Sequence, residues 1–503
     1  MRPPRARGVG RYLGWRRGEP SVPAGSSSVL ELPERIRDER ALAVVVVQGL
    51  GFVGSAMAAA VADAHDRVGR PFFNVIGIDL PTPEGIAKVE AINAGEAPIV
   101  NTDLRLEHAL AGGRERGNLV ATTDERLYAL ASVVVVDVPL DVIRDRGVST
   151  VDLRGFRQAI QTLGSHLRPG SLVIIETTVP PGTTDKIAAP ALAGALAERG
   201  LPEEAVLLAY SFERVMPGPR YLDSIINLPR CYAGRTPAAA DACEAFLSKV
   251  IDTEANPLTR LQSTTACETA KILENSYRAT TIALMEEWGR FAEVVGVDLF
   301  EVVDAIRRRP THANMRQPGF GVGGYCLTKD PLLGQIAARD FYDRPDIDFP
   351  FSTLAVAVNE EMPLTTLEKV ESLLGGRLSG KSIVLMGVSY RPEVGDTRNS
   401  PSGTFVREAR RRGANVICHD PLVREWRELE LDVLAELPRL AEVDAVVFAV
   451  HHSEYAALDL EAWLADDARP VVVDANDVLT AEQRSVLRRL GCAVGSIGRS
   501  DRT

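Results

Sequence analysis

The segment from Ala41 to Asp79 constrains the fold more than any other part of the chain. Ala41-Leu-Ala-Val-Val-Val-Val-Gln48 reads as a buried strand, Gly49-Leu-Gly-Phe-Val-Gly54 as a turn, and Ser55 to Ala64 as an alanine-rich helix. Asn74-Val-Ile-Gly-Ile-Asp79 then reads as a second strand that ends in an acid. Strand, glycine turn, helix and strand make a βαβ unit, which forces a parallel sheet with helices on its faces. The runs Ser132–Asp137 and Ser171–Glu176 repeat the strand pattern between helical segments, and Ala205–Tyr210 and Arg230–Gly234 offer further strands. A second strand, loop, helix and strand with a terminal acid recurs at Lys381–Asp420. Between them, Gln262 to Val295 runs without proline and with apolar residues at helical spacing, which predicts one helix of more than 30 residues. The fold expected is α/β: two Rossmann-like doubly wound domains joined by a long central helix.

The 503 residues suit about three domains. Boundaries are expected at a basic, disordered tail over 1–40, a dinucleotide-binding domain over 41–250, a central helical domain over 251–375, and a second Rossmann-like domain over 376–503. The tail carries Arg2, Arg5, Arg7, Arg11, Arg16 and Arg17 among Pro, Gly and Ser. A net charge of −11 argues against bulk nucleic-acid binding. Six cysteines without a C-x-x-C pair form neither a disulfide framework nor a zinc site, so no metal is expected. Without an apolar run of membrane-spanning length or a signal segment, the expected setting is the cytoplasm, with no membrane partner.

Three groups of residues carry chemistry. Gly49, Gly51 and Gly54 allow a tight turn, approach of a pyrophosphate and helix packing, while Asp79, 25 residues after Gly54, can accept from both ribose hydroxyls. That acid repels a 2′-phosphate, so the cofactor expected is NAD. Gly387-Val-Ser-Tyr-Arg-Pro lacks the same glycine pattern, so the second Rossmann-like unit is expected to bind something else. Around residue 320, Gly319-Phe-Gly-Val-Gly-Gly-Tyr-Cys326 places four glycines in six positions before a cysteine, as if the backbone passed close to a ligand. If a helix starts at Leu327, its dipole and Lys329 would favour the Cys326 thiolate, with Asp330 on the sulfur's face. On the long helix, Lys271 and Asn275 stand one turn apart and can donate in one direction, as stabilisation of an oxyanion requires. Thr178 follows a strand end, and Glu213 follows another and offers a carboxylate for base work.

Taken together, Gly49–Gly54, Thr177-Thr178-Val-Pro-Pro-Gly182, Glu213, Lys271 with Asn275, Gly323-Gly324-Tyr-Cys326 with Asp330, and Asp396-Thr-Arg398-Asn-Ser-Pro401 resemble the nucleotide-sugar 6-dehydrogenase (UDP-glucose/GDP-mannose dehydrogenase) family over about residues 43 to 490. The resemblance implies four-electron oxidation of the C6 alcohol of a UDP-sugar to the uronic acid, through a thiohemiacetal and a thioester on cysteine. Cys326 would be the nucleophile, and Lys271 and Asn275 would stabilise the oxyanions. Asp330 and Thr178 would order a water, and Glu213 would assist thioester hydrolysis. NAD would be held at Gly49, Gly51, Phe52, Val53, Gly54, Asp79, Pro139 and Thr178. The sugar nucleotide would meet Glu213, Arg214, Lys271, Asn275, Gly323, Gly324 and, through its phosphates, Arg398. The long helix would make a homodimer.

Glu213-Arg-Val-Met-Pro-Gly218 and Gly321–Cys326 lean toward UDP-N-acetylmannosamine or UDP-N-acetylglucosamine, whereas Lys329 leans toward UDP-glucose, the alternative substrate. Tyr390-Arg391, Val138-Pro-Leu140 and Asp474-Ala-Asn476-Asp477 depart from the family pattern and bear on the nucleotide contacts. The rival readings are a two-electron hydroxyacid dehydrogenase with no covalent step, and a protein that binds NAD and nucleotide sugar without turnover. The stoichiometry of NADH per acid separates them.

Overall fold

The structure is a computed structural model that describes residues 42–145, 147–464 and 468–500. The basic tail expected over 1–40 lies outside the described residues. The first sheet has eight strands: β1 (Ala43–Gln48), β2 (Phe73–Ile78), β3 (Leu119–Thr122), β4 (Val133–Val136), β5 (Leu172–Ile175), β6 (Leu207–Ser211), β7 (Arg230–Gly234) and β8 (Leu258–Arg260), in the order β8-β7-β6-β5-β4-β1-β2-β3. The valine-rich strands are buried on both faces, as a parallel sheet covered by helices demands. The chain winds outward from β1 through β2 to β3, then returns to β4 on the other side. The crevice beyond the ends of β1 and β4 is therefore a topological switch point.

One pairing breaks the expected pattern: β7 runs antiparallel to β6. Its first residue, Arg230, consequently lies at the edge where the parallel strands end. Helix α1 (Phe52–Asp63) follows β1, and its small residues let it lie flat on the sheet, with nine of its residues buried.

The long helix α2 (Thr264–Val295) has 32 residues, starts at Ser263, whose hydroxyl caps Ala266 N at 3.1 Å, and stops at Gly296 in the left-handed region. After α3 (Leu333–Tyr342), helix α4 (Pro350–Leu373) packs along α2 and leads into the second sheet. That sheet comprises β9 (Ser382–Met386), β10 (Asn415–His419), β11 (Ala445–Phe448), β12 (Val471–Asp474) and β13 (Val494–Ser496), all parallel, in the order β10-β9-β11-β12-β13. Helix α5 (Pro401–Arg411) covers one of its faces. Both halves are thus doubly wound. No helix among the described residues is long and apolar enough to cross a membrane.

A buried acid ties the first sheet to α2. Glu268 accepts from Gly182 N (2.5 Å), Thr184 N (2.8 Å) and the Thr184 hydroxyl (2.6 Å), fastening the loop that follows β5. Burial raises its carboxyl to about 7 despite these donors. Replacing Glu268 with Ala strands three buried donors and should lower stability by about 3 kcal/mol, read from the urea midpoint. Its folded pKa lies above the unfolded value, so the folded protein holds the extra proton and stability falls as pH rises from about 4.5 to about 7. Glu268→Gln should remove that slope.

Candidate active site

The dinucleotide turn sits at the switch point. Gly49 has φ of +92°, and a Cβ there would lie 2.5 Å from Asp137 O; a Cβ on Gly54 would lie 1.8 Å from Gly49 O. Around Gly51, by contrast, a Cβ would meet nothing within 4 Å, so this glycine borders open space. Helix α1 begins there without a capping side chain, leaving the first-turn amides of Phe52, Val53 and Gly54 to bind an anion. An open face, uncapped amides and two glycines that tolerate no side chain fit the pyrophosphate of NAD.

Asp79 departs from expectation in one respect. Its carboxylate already accepts from Leu50 N (2.8 Å), Leu80 N (2.8 Å) and Lys88 Nζ (3.1 Å). Of about four acceptor directions, one is left for a ribose hydroxyl rather than two. Pro139 is exposed beyond β4, and Thr178 is half-buried beyond β5. Beneath Thr178, the Thr177 hydroxyl donates to Val136 O (3.1 Å) and Val138 O (3.0 Å).

Lys271, Asn275, Glu213 and Asp330 are all buried and come together. Lys271 Nζ donates to Glu213 O at 2.7 Å and stands 3.3 Å from Glu213 Oε1; Asn275 Nδ2 donates to Asp330 Oδ2 at 2.7 Å. Lys329 Nζ holds the other oxygen of Asp330 at 2.8 Å. Burial alone would make Lys271 easier to deprotonate, but Glu213, Cys326, Asp330 and Glu274 outweigh it and raise its pKa, so it is an ammonium at neutral pH. The lysine and the amide share one helix face, as the spacing predicts, yet each is committed to a carboxylate.

Cys326 alone of the six cysteines is exposed, and Asp330, Lys271, Glu213 and Lys329 all act on its charge. Two expectations for it fail. No helix begins at Leu327: residues 327–329 form a turn, Asp330–Leu332 is a short 3-10 segment, and α3 starts at Leu333. Pro331 explains the break, because it cannot donate to a continuing helix. Nor is the thiol acidified. The surrounding protein mass, then Asp330, pushes it up to about 11, with Lys271 and more weakly Lys329 opposing.

The glycine loop also differs from its expected use. A Cβ on Gly323 would meet Asn399 O at 2.5 Å and Tyr390 Cβ at 2.8 Å, and one on Gly324 the Tyr390 ring at 2.8 Å. Gly324 N donates to Arg398 O (3.1 Å), and Asn399 Nδ2 to Gly324 O (3.1 Å). These glycines let the loop dock against the second Rossmann-like unit.

Arg398 is held by Asp396 (2.8–3.1 Å) and lies over the rings of Phe52 (4.7 Å) and Tyr325 (5.0 Å), so it joins all three regions. Arg214 pairs with Glu274 (2.8–3.1 Å) and donates to Pro229 O. Sequence reasoning missed a second cationic group, of which it had singled out only Arg391, as a departure from the family pattern. Arg278, one turn beyond Asn275, has its pKa lowered by burial and then by Arg316 and Arg391, while Cys326 opposes. None of these three guanidiniums has an ion pair among the described residues, and Arg316 Nε is buried without a partner. The Asn275 spacing could have flagged Arg278; the other two come from distant loops.

The thiol makes a direct test. Alkylation of Cys326 by iodoacetamide should accelerate about tenfold per pH unit above neutrality, toward a midpoint of about 11. Asp330→Asn should lower that midpoint and Lys271→Met raise it; a wild-type midpoint below 7 would contradict the electrostatics described.

Comparison with known proteins agrees with the geometry. Residues 43–250 match the NAD binding domain of the UDP-glucose/GDP-mannose dehydrogenase family, 265–361 its central domain and 384–481 its UDP binding domain. The chain is 28% identical over 447 residues to a UDP-N-acetyl-D-mannosamine dehydrogenase of Methanocaldococcus jannaschii, covering 88% of this chain and 93% of that one. The structure of a UDP-D-ManNAc dehydrogenase from Pyrococcus horikoshii superposes with a TM-score of 0.75 at 27% identity, covering 91% of this chain and all of that one (100%). A UDP-glucose dehydrogenase from Pyrobaculum islandicum gives 0.75 at 25% identity, covering 92% and 99%. With three successive domain matches over a site that holds a dinucleotide turn, a buried lysine and an exposed cysteine, the chain belongs to the UDP-glucose/GDP-mannose dehydrogenase family and is an NAD-dependent nucleotide-sugar dehydrogenase.

Proposed function

We propose that the protein oxidises the C6 alcohol of a UDP-N-acetylhexosamine, UDP-N-acetylmannosamine first, to the uronic acid, with Cys326 as covalent anchor. The observation that carries this reading is the exposed Cys326 thiol set among Lys271, Asn275, Glu213 and Asp330. NAD, bound along the 49–54 turn, supplies the hydride acceptor for both oxidation steps. Only a nucleophile can retain the aldehyde between them. Cys326 Sγ adds to the aldehyde carbon, and the thiol proton moves to the carbonyl oxygen, so the addition needs no free thiolate beforehand. Lys271 and Asn275 donate to that oxygen. After oxidation to the thioester, Glu213 assists attack of a water ordered by Thr178 and Asp330, which releases the acid and returns the thiol. Arg398, with the unpaired Arg278, Arg316 and Arg391, suits a substrate that carries a diphosphate.

The acetamido sugar is favoured by Glu213–Gly218 and by the UDP-N-acetyl-D-mannosamine dehydrogenases among the relatives. UDP-glucose is the second reading, favoured by Lys329, whose ammonium holds Asp330 beside the sulfur. The protein acts as a homodimer in the cytoplasm. Leu273, Tyr277, Leu284, Trp288, Phe291 and Val295 form an exposed apolar stripe along α2, opposite the face that carries Lys271 and Asn275. A helix keeps such a stripe in water only at the risk of association.

Cys326→Ala should abolish acid formation while leaving NAD binding intact, and wild type should yield two NADH per acid; a reproducible value of one would remove the thioester step. Lys271→Ala should cost about 10²- to 10³-fold in kcat. A panel of UDP- and GDP-sugars read by NADH absorbance assigns the sugar, and absence of turnover with all of them would favour the binding-only reading. Trp288→Glu should shift the mass seen by light scattering from dimer to monomer.

A further inference from the structure

One group of charges beside the dinucleotide turn is not used by the reaction above. Strands β4 and β5 pair in register, Val136 opposite Ile175, so the residues that follow them, Asp137 and Glu176, leave the sheet side by side. Each carboxyl acts on the ionisation of the other, as two groups standing close together do. Asp137 Oδ2 and Glu176 Oε2 are both buried, and neither has a hydrogen-bond partner among the described residues. Two buried acceptors facing one another satisfy both if a single proton lies between them.

Which residue carries that proton follows from the neighbours. The antiparallel course of β7 brings Arg230 to this edge, where its guanidinium pairs with Glu176 Oε1, and both side chains are at most 2% exposed. Burial raises the Glu176 carboxyl, but Arg230, its direct partner, opposes that, so of the two acids Glu176 is the one with a cation of its own. The charged groups that face Asp137 are Glu176, Glu213 and Arg230. Glu213 is paired with Lys271. Three carboxyls thus share two cations, and Asp137 is the one left over. Burial, then Glu176 and Glu213, holds its carboxyl well above the ordinary range.

Position gives the pair its consequence. Asp137 lies directly under the dinucleotide turn: its carbonyl oxygen is 2.5 Å from where a Cβ on Gly49 would be, and its own Cβ is 3.3 Å from where one on Gly54 would be. A carboxylate there would repel the pyrophosphate that the turn is built to accept. The geometry points to Asp137 as a carboxylic acid that stays protonated through the neutral range, donates its hydrogen to Glu176, and so keeps the phosphate-binding turn free of an uncompensated negative charge. It is a positioning residue for the cofactor site; the inference rests on NAD binding at that turn and is independent of the sugar and of Cys326.

The test compares a neutral isostere with a group held to be neutral already. By calorimetry at pH 7.5, Asp137→Asn should bind NAD within about twofold of wild type, whereas removing a real negative charge at this distance would tighten binding by about tenfold. A change of about tenfold or more in either direction overturns the assignment. Infrared spectra of wild type with isotopically labelled aspartate should show the carbonyl stretch of a protonated acid at pH 7.5, absent from Asp137→Asn. A wild-type spectrum without that band overturns it even if the variant does not fold. Loss of NAD binding by wild type itself would instead refute the dinucleotide site.

Discussion

One face of α2 assembles the site. Glu268, Lys271 and Asn275 are spaced by three and four residues, so they stack along a single side of the helix. Each bonds a different loop. Glu268 fastens the 182–184 segment beyond β5, Lys271 the Glu213 carbonyl beyond β6, and Asn275 the Asp330 carboxylate of the cysteine loop. These loops come from positions about 150 residues apart in the chain, and no packing of apolar side chains would fix them to within a hydrogen bond. A long helix with a buried polar stripe does so, because its side-chain positions are set by 1.5 Å of rise per residue. Burial makes the arrangement strict: each polar group desolvated on α2 needs its partner, and each partner belongs to a loop of the site.

The second constraint is the docking of the cysteine loop on the second Rossmann-like unit. Gly323 and Gly324 lie so close to Tyr390 and Asn399 that a methyl group at either would displace the backbone or the ring. Asn359 of α4 grips the same loop from the other side, donating to Val322 O (2.7 Å) and accepting from Val322 N (2.8 Å). Arg398 then spans Phe52 at the dinucleotide turn and Tyr325 beside the cysteine. The thiol is thus positioned by contributions from all three regions. The backbone that carries the sulfur therefore has little freedom to shift.

Both doubly wound sheets could be read from the sequence, because runs such as Val44–Val47 and Val133–Val136, bounded by glycine and acid, have few other outcomes. The reversal of β7 could not. A short buried strand reads the same in either direction, and its orientation is decided by the connection made by the Tyr221–Ile226 helix and its flanking turns. The clustering of Cys326, Lys271, Asn275, Glu213 and Asp330 was legible through their motifs, but their protonation was not. The acidity of Cys326 depends on whether a helix starts beside it and on how much protein surrounds the cleft, and Pro331 with Asp330 turns both against the thiolate. Arg316 carries no local signal either, and Arg391 stood out only as a departure from the family pattern; neither has an ion pair among the described residues.

Charge balance links these observations. The reacting centre contains Glu213 against Lys271 and Asp330 against Lys329, two close pairs that nearly cancel, and a thiol that is neutral at rest. Toward Arg278, Arg316 and Arg391 the balance is positive: none has an ion pair among the described residues, and Glu274 acts on Arg278 only from beyond ion-pair distance. Such separation suits a substrate with its anionic end remote from its reacting end. On the proposed reading, the diphosphate would meet guanidiniums without ion pairs, and the carbon to be oxidised a centre with little net charge. There, on the same reading, the negative charge that builds on oxygen as sulfur adds would be the largest change in the local field. Lys271 is already desolvated and already charged, so it can answer that change without reorganising water. A resting thiolate would add a standing negative charge beside Asp330; on the proposed mechanism a thiol that loses its proton only as it adds avoids it, and the raised pKa of Cys326 is in keeping with that.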